Sequence, residues 1–66
     1  MVIRLNGSVT EFEDGLTVEG LLKSMGIEPM RVAVEVNLEV IKKQNYKEHL
    51  LKDKDSVEIV SFIGGG

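Results

Sequence analysis

The stretch VIRLNGSVTEFE, residues 2–13, is typical of a β-hairpin. Ile3 and Leu5 alternate with Val2 and Arg4, as expected when the two sides of a strand face different environments. The Asn-Gly pair that follows at positions 6 and 7 favours the two-residue type I′ turn, whose twist matches that of paired strands. The chain is therefore predicted to open with two antiparallel strands.

A helix is predicted directly after this hairpin. Thr17 is suited to the N-cap position, where its hydroxyl accepts a hydrogen bond from a free backbone N–H. Gly26 is suited to the left-handed position that ends many helices. Between them, apolar residues recur at the helical spacing and define one stripe: Val18, Leu21, Leu22 and Met25.

The second half of the sequence indicates further strands. Residues 32–36, VAVEV, place three valines on one face, and Val40 and Ile41 suggest a short strand after a turn at Asn37-Leu38. Residues 42–51 are mostly polar and are predicted to form a loop with one helical turn, anchored by Tyr46 and Leu50. The last strand is SVEIVSFI, residues 56–63.

This order of elements predicts the fold. Strands and helix follow one another as ββαββ instead of alternating, which favours an α+β fold with one helix on one face of a mixed sheet of four to five strands. A hairpin, a crossover helix and further strands give the β-grasp arrangement, in which the first and last strands lie parallel in the middle of the sheet. We expect a β-grasp domain over residues 1–63 and a flexible C-terminal glycine tail over residues 64–66.

Composition limits the classes of function. The 66 residues contain no cysteine, so disulfides and thiolate metal sites are excluded, as is typical of cytoplasmic proteins. No apolar run approaches the roughly 20 residues of a membrane helix, and the start of the chain does not resemble a signal peptide. The net charge of -3, with basic residues spread along the chain, argues against nucleic acid as a partner.

The three terminal glycines have two interpretations. They are either a frayed or artificial end, or a segment that enters a slot too narrow for side chains. Three extended residues reach about 10 Å, enough for Gly64 and Gly65 to thread the carboxylate of Gly66 into the active site of another protein.

A terminal carboxylate must be activated before it can transfer its acyl group, because it is ionised at neutral pH and its oxygen is a poor leaving group. The chain contains neither a phosphate-binding GxxxxGK[ST] loop nor a cysteine nucleophile. It is therefore predicted to be a cosubstrate with no bound cofactor and not an enzyme, the ATP being consumed by a partner.

The sequence resembles the ThiS family of sulfur carriers, which are ubiquitin-like β-grasp proteins. The likeness covers nearly the whole chain, and the terminal Gly-Gly pair closing a domain of this size is its most specific part. The residues that carry it are VAVEVN at 32–37, Val40-Ile41, Tyr46, His49-Leu50, Asp53-x-Asp55 and Gly65-Gly66.

This resemblance implies a chemistry centred on Gly66. A ThiF-type adenylating enzyme would form an acyl-adenylate there, and sulfur from a persulfide donor would replace the AMP to give a thiocarboxylate. Thiazole synthase (ThiG) would then accept the sulfur. The sequence departs from the family at Leu38 and Lys54, where small turn residues are common, so those turns are expected to use other backbone angles or to be mildly strained. Gly64 is variable in the family.

The last strand also suggests a docking surface. If the strand is regular, Val57 and Ile59 face the helix, while Glu58, Val60 and Phe62 lie on the opposite side. We expect Val60 and Phe62 to form an exposed patch for partner proteins, together with Val2 or Ala33. The alternative is that the polar segment 42–51 covers them.

Other residues have simpler explanations. His49, the only histidine, is expected at the surface or in a turn, because it lacks a second metal-binding or catalytic partner in the sequence. Tyr46 is expected to fill the edge of the core with its hydroxyl reaching solvent. The pairs Lys42-Lys43 and Lys52 with Lys54 are expected on solvated faces.

Three alternative functions remain open from the residues. A carrier that feeds molybdopterin or another sulfur acceptor would use the same tail. A protein modifier would join Gly66 to a lysine, as ubiquitin does, and also begins with adenylation. In a plain interaction domain the glycines would be incidental, and the loss of Gly66 would leave binding intact.

Overall fold

A computed structural model of the chain describes residues 1–62, which form a five-stranded mixed sheet with one α-helix packed on one face. The elements in chain order are β1 (Val2–Leu5), β2 (Ser8–Glu11), α1 (Val18–Ser24), a 3-10 turn (Pro29–Arg31), β3 (Val32–Val36), β4 (Glu39–Ile41), a second 3-10 turn (Lys43–Asn45) and β5 (Ser56–Ser61).

The predicted β-grasp arrangement is confirmed. The strands lie in the order β2-β1-β5-β3-β4, and β1 and β5, the first and last strands, run parallel in the middle. The other neighbouring pairs are antiparallel. The short strand predicted at Val40 and Ile41 is β4, a full member of the sheet, so the described elements read ββαβββ.

The first hairpin closes through the predicted Asn-Gly turn. Asn6 has a φ of 47° and Gly7 a φ of 86°, both in the left-handed region that a type I′ turn requires. The register pairs Leu5 with Ser8 and Val2 with Glu11. Leu5 is therefore the last residue of β1, and this early end of the strand shapes the site described below.

The helix begins and ends where the sequence predicts. The Thr17 hydroxyl accepts a hydrogen bond of 3.1 Å from the Gly20 N–H. At the other end Gly26 has a φ of 73°, its N–H donates to Lys23, and the Ile27 N–H donates to Leu22, which is the Schellman arrangement.

One member of the predicted helical stripe does not reach the core. Met25 is the C-cap residue and is 42% exposed, because α1 ends at Ser24, one residue before the eighth position of the stripe. The core lies between α1 and the inner face of the sheet. Its buried apolar residues are Ile3, Val18, Leu21, Leu22, Val32, Val34, Val36, Ile41, Tyr46, Leu51 and Val57.

The segment 42–51 contains the predicted helical turn, at Lys43–Asn45. Tyr46 anchors it as expected, but the second anchor is Leu51, which is buried, whereas Leu50 is 53% exposed. The prediction for Leu50 was wrong because Leu51 donates its N–H to the carbonyl of Leu16, which orients this short stretch with the Leu51 side chain inward.

The two departures from glycine produce strained turns. Leu38 has a φ of 71° and Lys54 a φ of 72°, so both adopt the left-handed conformation that favours glycine. Left-handed φ values are strained for residues that carry a side chain, so the mild strain expected at these two turns is present. In the first of these turns Asn37 also has a positive φ, of 53°, so the β3-β4 turn repeats the geometry of Asn6-Gly7.

Candidate functional site

The strand β5 presents two different faces. Val57 is fully buried against the helix side and Ile59 is half-buried beside it, while Val60 on the opposite face is 58% exposed. Phe62, in the turn directly after β5, is 60% exposed. The predicted division of the strand is confirmed. The segment 42–51 leaves both Val60 and Phe62 largely open to solvent, although Lys43 of that segment contacts the Phe62 ring.

The end of β5 is held by β3. Val60 is paired with Ala33 and Ser61 with Val32, and the Phe62 N–H donates to the Arg31 carbonyl over 3.0 Å. Ala33 is half-buried on the same open face as Val60. We call Ala33, Val60 and Phe62 the docking surface.

Val2, the other residue expected in this patch, does not belong to it. The Lys54 N–H donates to the Val2 carbonyl, and the Val2 N–H donates to Asp53 Oδ1 over 2.7 Å. Val2 therefore lies beside the turn that precedes β5. Six residues separate Lys54 from Val60, or about 20 Å of extended strand, which is too far for a shared contact.

Asn6 completes the sheet where β1 ends. Its Oδ1 accepts a hydrogen bond of 2.7 Å from the Ile59 N–H, and its Nδ2 donates to the Ile59 carbonyl over 3.2 Å. The backbone N–H of Asn6 donates to Val57 over 2.9 Å. The side-chain amide thus makes the hydrogen bonds to β5 that the backbone of one further β1 residue would make. The sequence pattern predicts Asn6 in the turn alone, because no local pattern distinguishes an asparagine that also binds a distant strand.

Asn37 plays a comparable part at the other end of β5. Its Oδ1 accepts from the Ser56 N–H over 2.9 Å, its backbone N–H donates to the Ser56 carbonyl over 2.7 Å, and its Nδ2 donates to Asp55 Oδ1 over 2.9 Å. Asp55 is buried, and its second oxygen accepts from the Lys52 N–H over 2.8 Å. Two asparagine side chains therefore hold β5, one at each end.

Lys43 contacts the end of β5 and is not on a solvated face as predicted. Its side chain is half-buried, and its Nζ donates to the Val32 carbonyl over 2.6 Å. The same Nζ lies 4.4 Å from the centroid of the Phe62 ring and 5.6 Å from that of Tyr46. The prediction was wrong because the 3-10 turn places Lys43 over the start of β3. Nothing in the sequence around Lys42 and Lys43 indicates this contact.

Tyr46 supports this arrangement from the core. Its ring is buried as expected, but its hydroxyl donates to the Val32 carbonyl over 3.1 Å and does not reach solvent. The Val32 carbonyl thus accepts from both Tyr46 and Lys43. Burial raises the pKa of the Tyr46 phenol above its ordinary value, because the charged phenolate loses hydration there.

His49 and the terminal glycines are the remaining candidate residues. His49 is half-buried after the second 3-10 turn, where its carbonyl accepts from the Val18 N–H over 2.9 Å. Among residues 1–62, no three His, Asp or Glu side chains are close enough together to hold a metal ion. No helix in that range is long and apolar enough to span a bilayer. Gly64, Gly65 and Gly66 lie outside the described residues, so their predicted roles stay predictions.

Comparison with known proteins gives matches over the full chain. The sequence model of the ThiS family matches residues 3–66. The sulfur carrier protein ThiS of Bacillus subtilis is 42% identical over 66 residues, which cover 98% of this chain and 100% of that protein. The crystal structure of the thiamine biosynthesis protein ThiS from Geobacter metallireducens has a TM-score of 0.86 and 32% identity, with 100% of both chains covered.

A second kind of relative is much longer. The thiazole synthase of Paramagnetospirillum magneticum is 44% identical over 66 residues, which represent 100% of this chain and 20% of that enzyme. The chain therefore spans about a fifth of the length of this relative, and a single polypeptide there contains both the matching segment and further sequence.

Proposed function

The chain belongs to the ThiS family, and we propose on that basis that it is a cytoplasmic sulfur carrier for thiamin biosynthesis, with the C-terminal carbonyl of Gly66 as the working group. The observation that carries this proposal is the end-to-end match to the sulfur carrier of Bacillus subtilis. The terminal glycines are included in the family match, which extends to residue 66.

The proposed chemistry begins with activation of Gly66. A carboxylate oxygen attacks the α-phosphorus of ATP, pyrophosphate leaves, and an acyl-adenylate forms on a ThiF-type adenylating enzyme. The terminal sulfur of a persulfide then attacks the carbonyl carbon and AMP leaves. A thiol reduces the resulting acyl disulfide, and the thiocarboxylate remains on Gly66. Each of these steps takes place on a partner, since the chain has neither a cysteine nor a phosphate-binding loop.

Thiazole synthase is the proposed acceptor of this sulfur. The long relative supports the choice, because one polypeptide named thiazole synthase contains a segment similar to the whole of this chain. Two activities joined in one polypeptide gain a high effective concentration for each other. We therefore propose that this chain binds a thiazole synthase when it delivers sulfur.

The docking surface supplies the contact that the tail alone lacks. Ordering an extended tail costs about 1 to 2 kcal/mol for each residue, so a partner must recover this free energy by binding the folded domain as well. Val60 and the aromatic ring of Phe62 are exposed apolar groups at the end of the strand that leads to Gly66. Apolar and aromatic side chains in such a position are suited to the centre of an interface.

Intact-mass spectrometry tests the chemistry. The chain is incubated with ATP, a ThiF-type enzyme and a persulfide donor, and we expect the mass increment of one sulfur in place of one oxygen. A chain that lacks Gly66 is the control and stays unmodified. Conjugates of higher mass would show a protein modifier, and partner binding without any change in mass, equal in the truncated chain, would show an interaction domain.

The docking surface has its own test. Phe62→Asp places a charge on the patch and is expected to abolish or greatly reduce sulfur transfer while the fold remains intact, because the ring is exposed. Leu38→Asp adds the same charge at the opposite end of the molecule, where Leu38 is 90% exposed, and is expected to transfer normally. Full transfer by the Phe62 variant would rule out the patch.

A further inference from the structure

The Lys43 ammonium group joins three separate parts of the chain. It belongs to the second 3-10 turn, it donates to the carbonyl of Val32 at the start of β3, and it lies over the ring of Phe62 just beyond β5. Val32 is the register partner of Ser61, and Phe62 is the last residue that the structure describes. Val32 and Ser61 are the last residue pair between β3 and β5, and we call this pair the last rung. The Lys43 side chain therefore restrains both strands at the last rung.

The physical basis of this restraint is electrostatic. An ammonium within about 6 Å of an aromatic centroid is attracted by the negative face of the ring, and a charged donor strengthens a hydrogen bond to a carbonyl. Both conditions are met by the distances of 4.4 Å to Phe62 and 2.6 Å to Val32. Within residues 1–62 the ion pairs involve Met1 with Asp14 and Lys23 with Glu19, so no described carboxylate competes for Lys43.

The location of the rung makes a restraint necessary. β1 ends at Leu5, and the Asn6 side chain continues its pairing only as far as Ile59. Strand ends with exposed hydrogen bonds and few buried contacts open most easily. Phe62 is mostly exposed, and the described contacts that hold it are its N–H bond to Arg31 and the ammonium of Lys43.

We propose that Lys43 is a positioning residue, which holds the last rung of the sheet closed and fixes the Phe62 ring within the docking surface. This inference rests on the proposed function, since the surface is taken to bind the adenylating partner. Lys43 acts through Phe62, whose ring it contacts. Its loss raises the KM for the carrier in the adenylation reaction and leaves kcat unchanged.

Three variants separate this role from a general effect on stability. Lys43→Met keeps the apolar stem and removes the charge, Lys43→Arg keeps a cation and its donors, and Lys42→Met makes the same charge change at an exposed neighbour. We expect Lys43→Met to speed hydrogen exchange of the Phe62 amide by roughly tenfold, as expected for the loss of one cation-ring contact and one hydrogen bond. Lys43→Arg restores slow exchange, and Lys42→Met leaves it unchanged.

The measurement also needs a reference within the same molecule. The global free energy of unfolding and the exchange of the Val57 amide report the body of β5, and both are expected to match those of Lys42→Met. A Phe62→Leu background completes the design, because Lys43→Met then has a smaller effect on exchange when no aromatic ring is present. Equal acceleration at Val57 and Phe62 would show that Lys43 only stabilises the fold, and would overturn the proposal.

The kinetic measurement links the rung to the partner. With purified adenylating enzyme and ATP, we expect Lys43→Met to raise the KM for the carrier by roughly the same factor as the Phe62 exchange rate, with kcat retained. An unchanged KM, or a fall in kcat alone, overturns the positioning role. If the unaltered chain is not adenylated at all, the proposed function fails instead, and the exchange experiment on the chain alone still decides whether Lys43 holds the rung.

Discussion

The two halves of β5 differ in what surrounds them. Residues 56–58 lie between two strands, with Ser56 and Val57 paired to β1 on one side and Val57 paired to Val36 of β3 on the other. Residues 59–62 keep β3 on one side, but on the other side β1 has ended and the Asn6 amide extends its pairing to Ile59. One strand thus provides both the centre of the fold and an accessible end next to the tail.

Stability and partner binding are therefore expected to depend on different halves of β5. The first half contains Val57, which is fully buried, so changes there alter the free energy of unfolding. The second half exposes Val60 and Phe62 and depends on side chains from distant turns, so changes there are expected to weaken the proposed binding while the core remains packed.

The same substitution at Val57 and Val60 gives the largest contrast. Val57→Ala is expected to lower the free energy of unfolding by about 2 to 3 kcal/mol, because two buried carbons and their contacts are lost and a cavity remains. Val60→Ala is expected to change it by less than about 0.5 kcal/mol, but to weaken binding of the adenylating enzyme. Denaturant unfolding and a binding titration measure the two quantities, and equal unfolding midpoints would contradict the contrast.

The two asparagines test how each end of β5 is held. Asn6→Gly and Asn37→Gly keep the left-handed turn and remove the side-chain hydrogen bonds, at an expected cost of about 1 to 2 kcal/mol each. The larger loss is expected at Asn37, because buried Asp55 then loses a donor.

Hydrogen exchange shows where each asparagine acts. The Ile59 amide is expected to exchange faster in Asn6→Gly, and the Ser56 amide in Asn37→Gly, since these N–H groups donate to the removed side chains. If both variants expose the same amides, the two ends of β5 are not held independently.

The turns that begin with these asparagines differ at their second residue. Gly7 and Leu38 have φ values of 86° and 71°, so the β3-β4 turn carries strain that the first hairpin avoids. Leu38→Gly is expected to raise the free energy of unfolding by about 0.5 to 1 kcal/mol, the relief of strain exceeding the added entropy of the unfolded chain.

The reverse change provides the control. No atom lies within 4 Å of a Cβ built on Gly7, so Gly7→Leu tests backbone strain without a steric clash. It is expected to destabilise the chain by a similar amount in thermal or denaturant unfolding. A stability gain from Gly7→Leu would show that the left-handed conformation is not the source of the difference.

The smallest expected effect on stability concerns the buried Tyr46 phenol and appears only at high pH. Because burial raises the pKa of Tyr46 above the model-compound value of 10.0, the stability gained by burying the neutral phenol is complete below pH 10 and is lost as pH rises through the folded pKa. The chain has one tyrosine and no tryptophan, so tyrosinate absorbance reports Tyr46 alone. We expect a higher midpoint in the folded chain than in denaturant, and equal midpoints would contradict the burial of the hydroxyl.

Sequence patterns predicted most of the fold because the relevant signals are local. The Asn6-Gly7 turn, the Thr17 cap and the Gly26 helix end each depend on backbone conformations within a few residues. The alternation in β5 likewise predicted which side chains are exposed. The errors at Met25 and Leu50 concern element ends, where one residue more or less decides whether a side chain faces inward.

The candidate site was predictable only in part. The exposure of Val60 and Phe62 followed from the period of a strand, but the contacts that hold the end of β5 did not. Asn6 binds Ile59 across 53 positions of sequence, and Lys43 reaches Val32 across 11. Neither residue type indicates such a partner, since asparagine is common in turns and lysine is common on surfaces.

Patterns in the sequence are enough to predict the order of the strands and the helix along the chain and most of the buried apolar residues, because these depend on side-chain chemistry and short-range periodicity. The tertiary structure was needed to show that β1 ends opposite Val57, three residues before Val60. It also showed that Asn6 and Asn37 hold opposite ends of β5 and that Lys43 lies over Phe62. The Asn6 contact depends on the parallel pairing of β1 and β5, and the Asn37 contact depends on the antiparallel pairing of β3 and β5. Lys43 reaches Phe62 from the second 3-10 turn. These proximities join residues that are distant in sequence, so no local pattern encodes them.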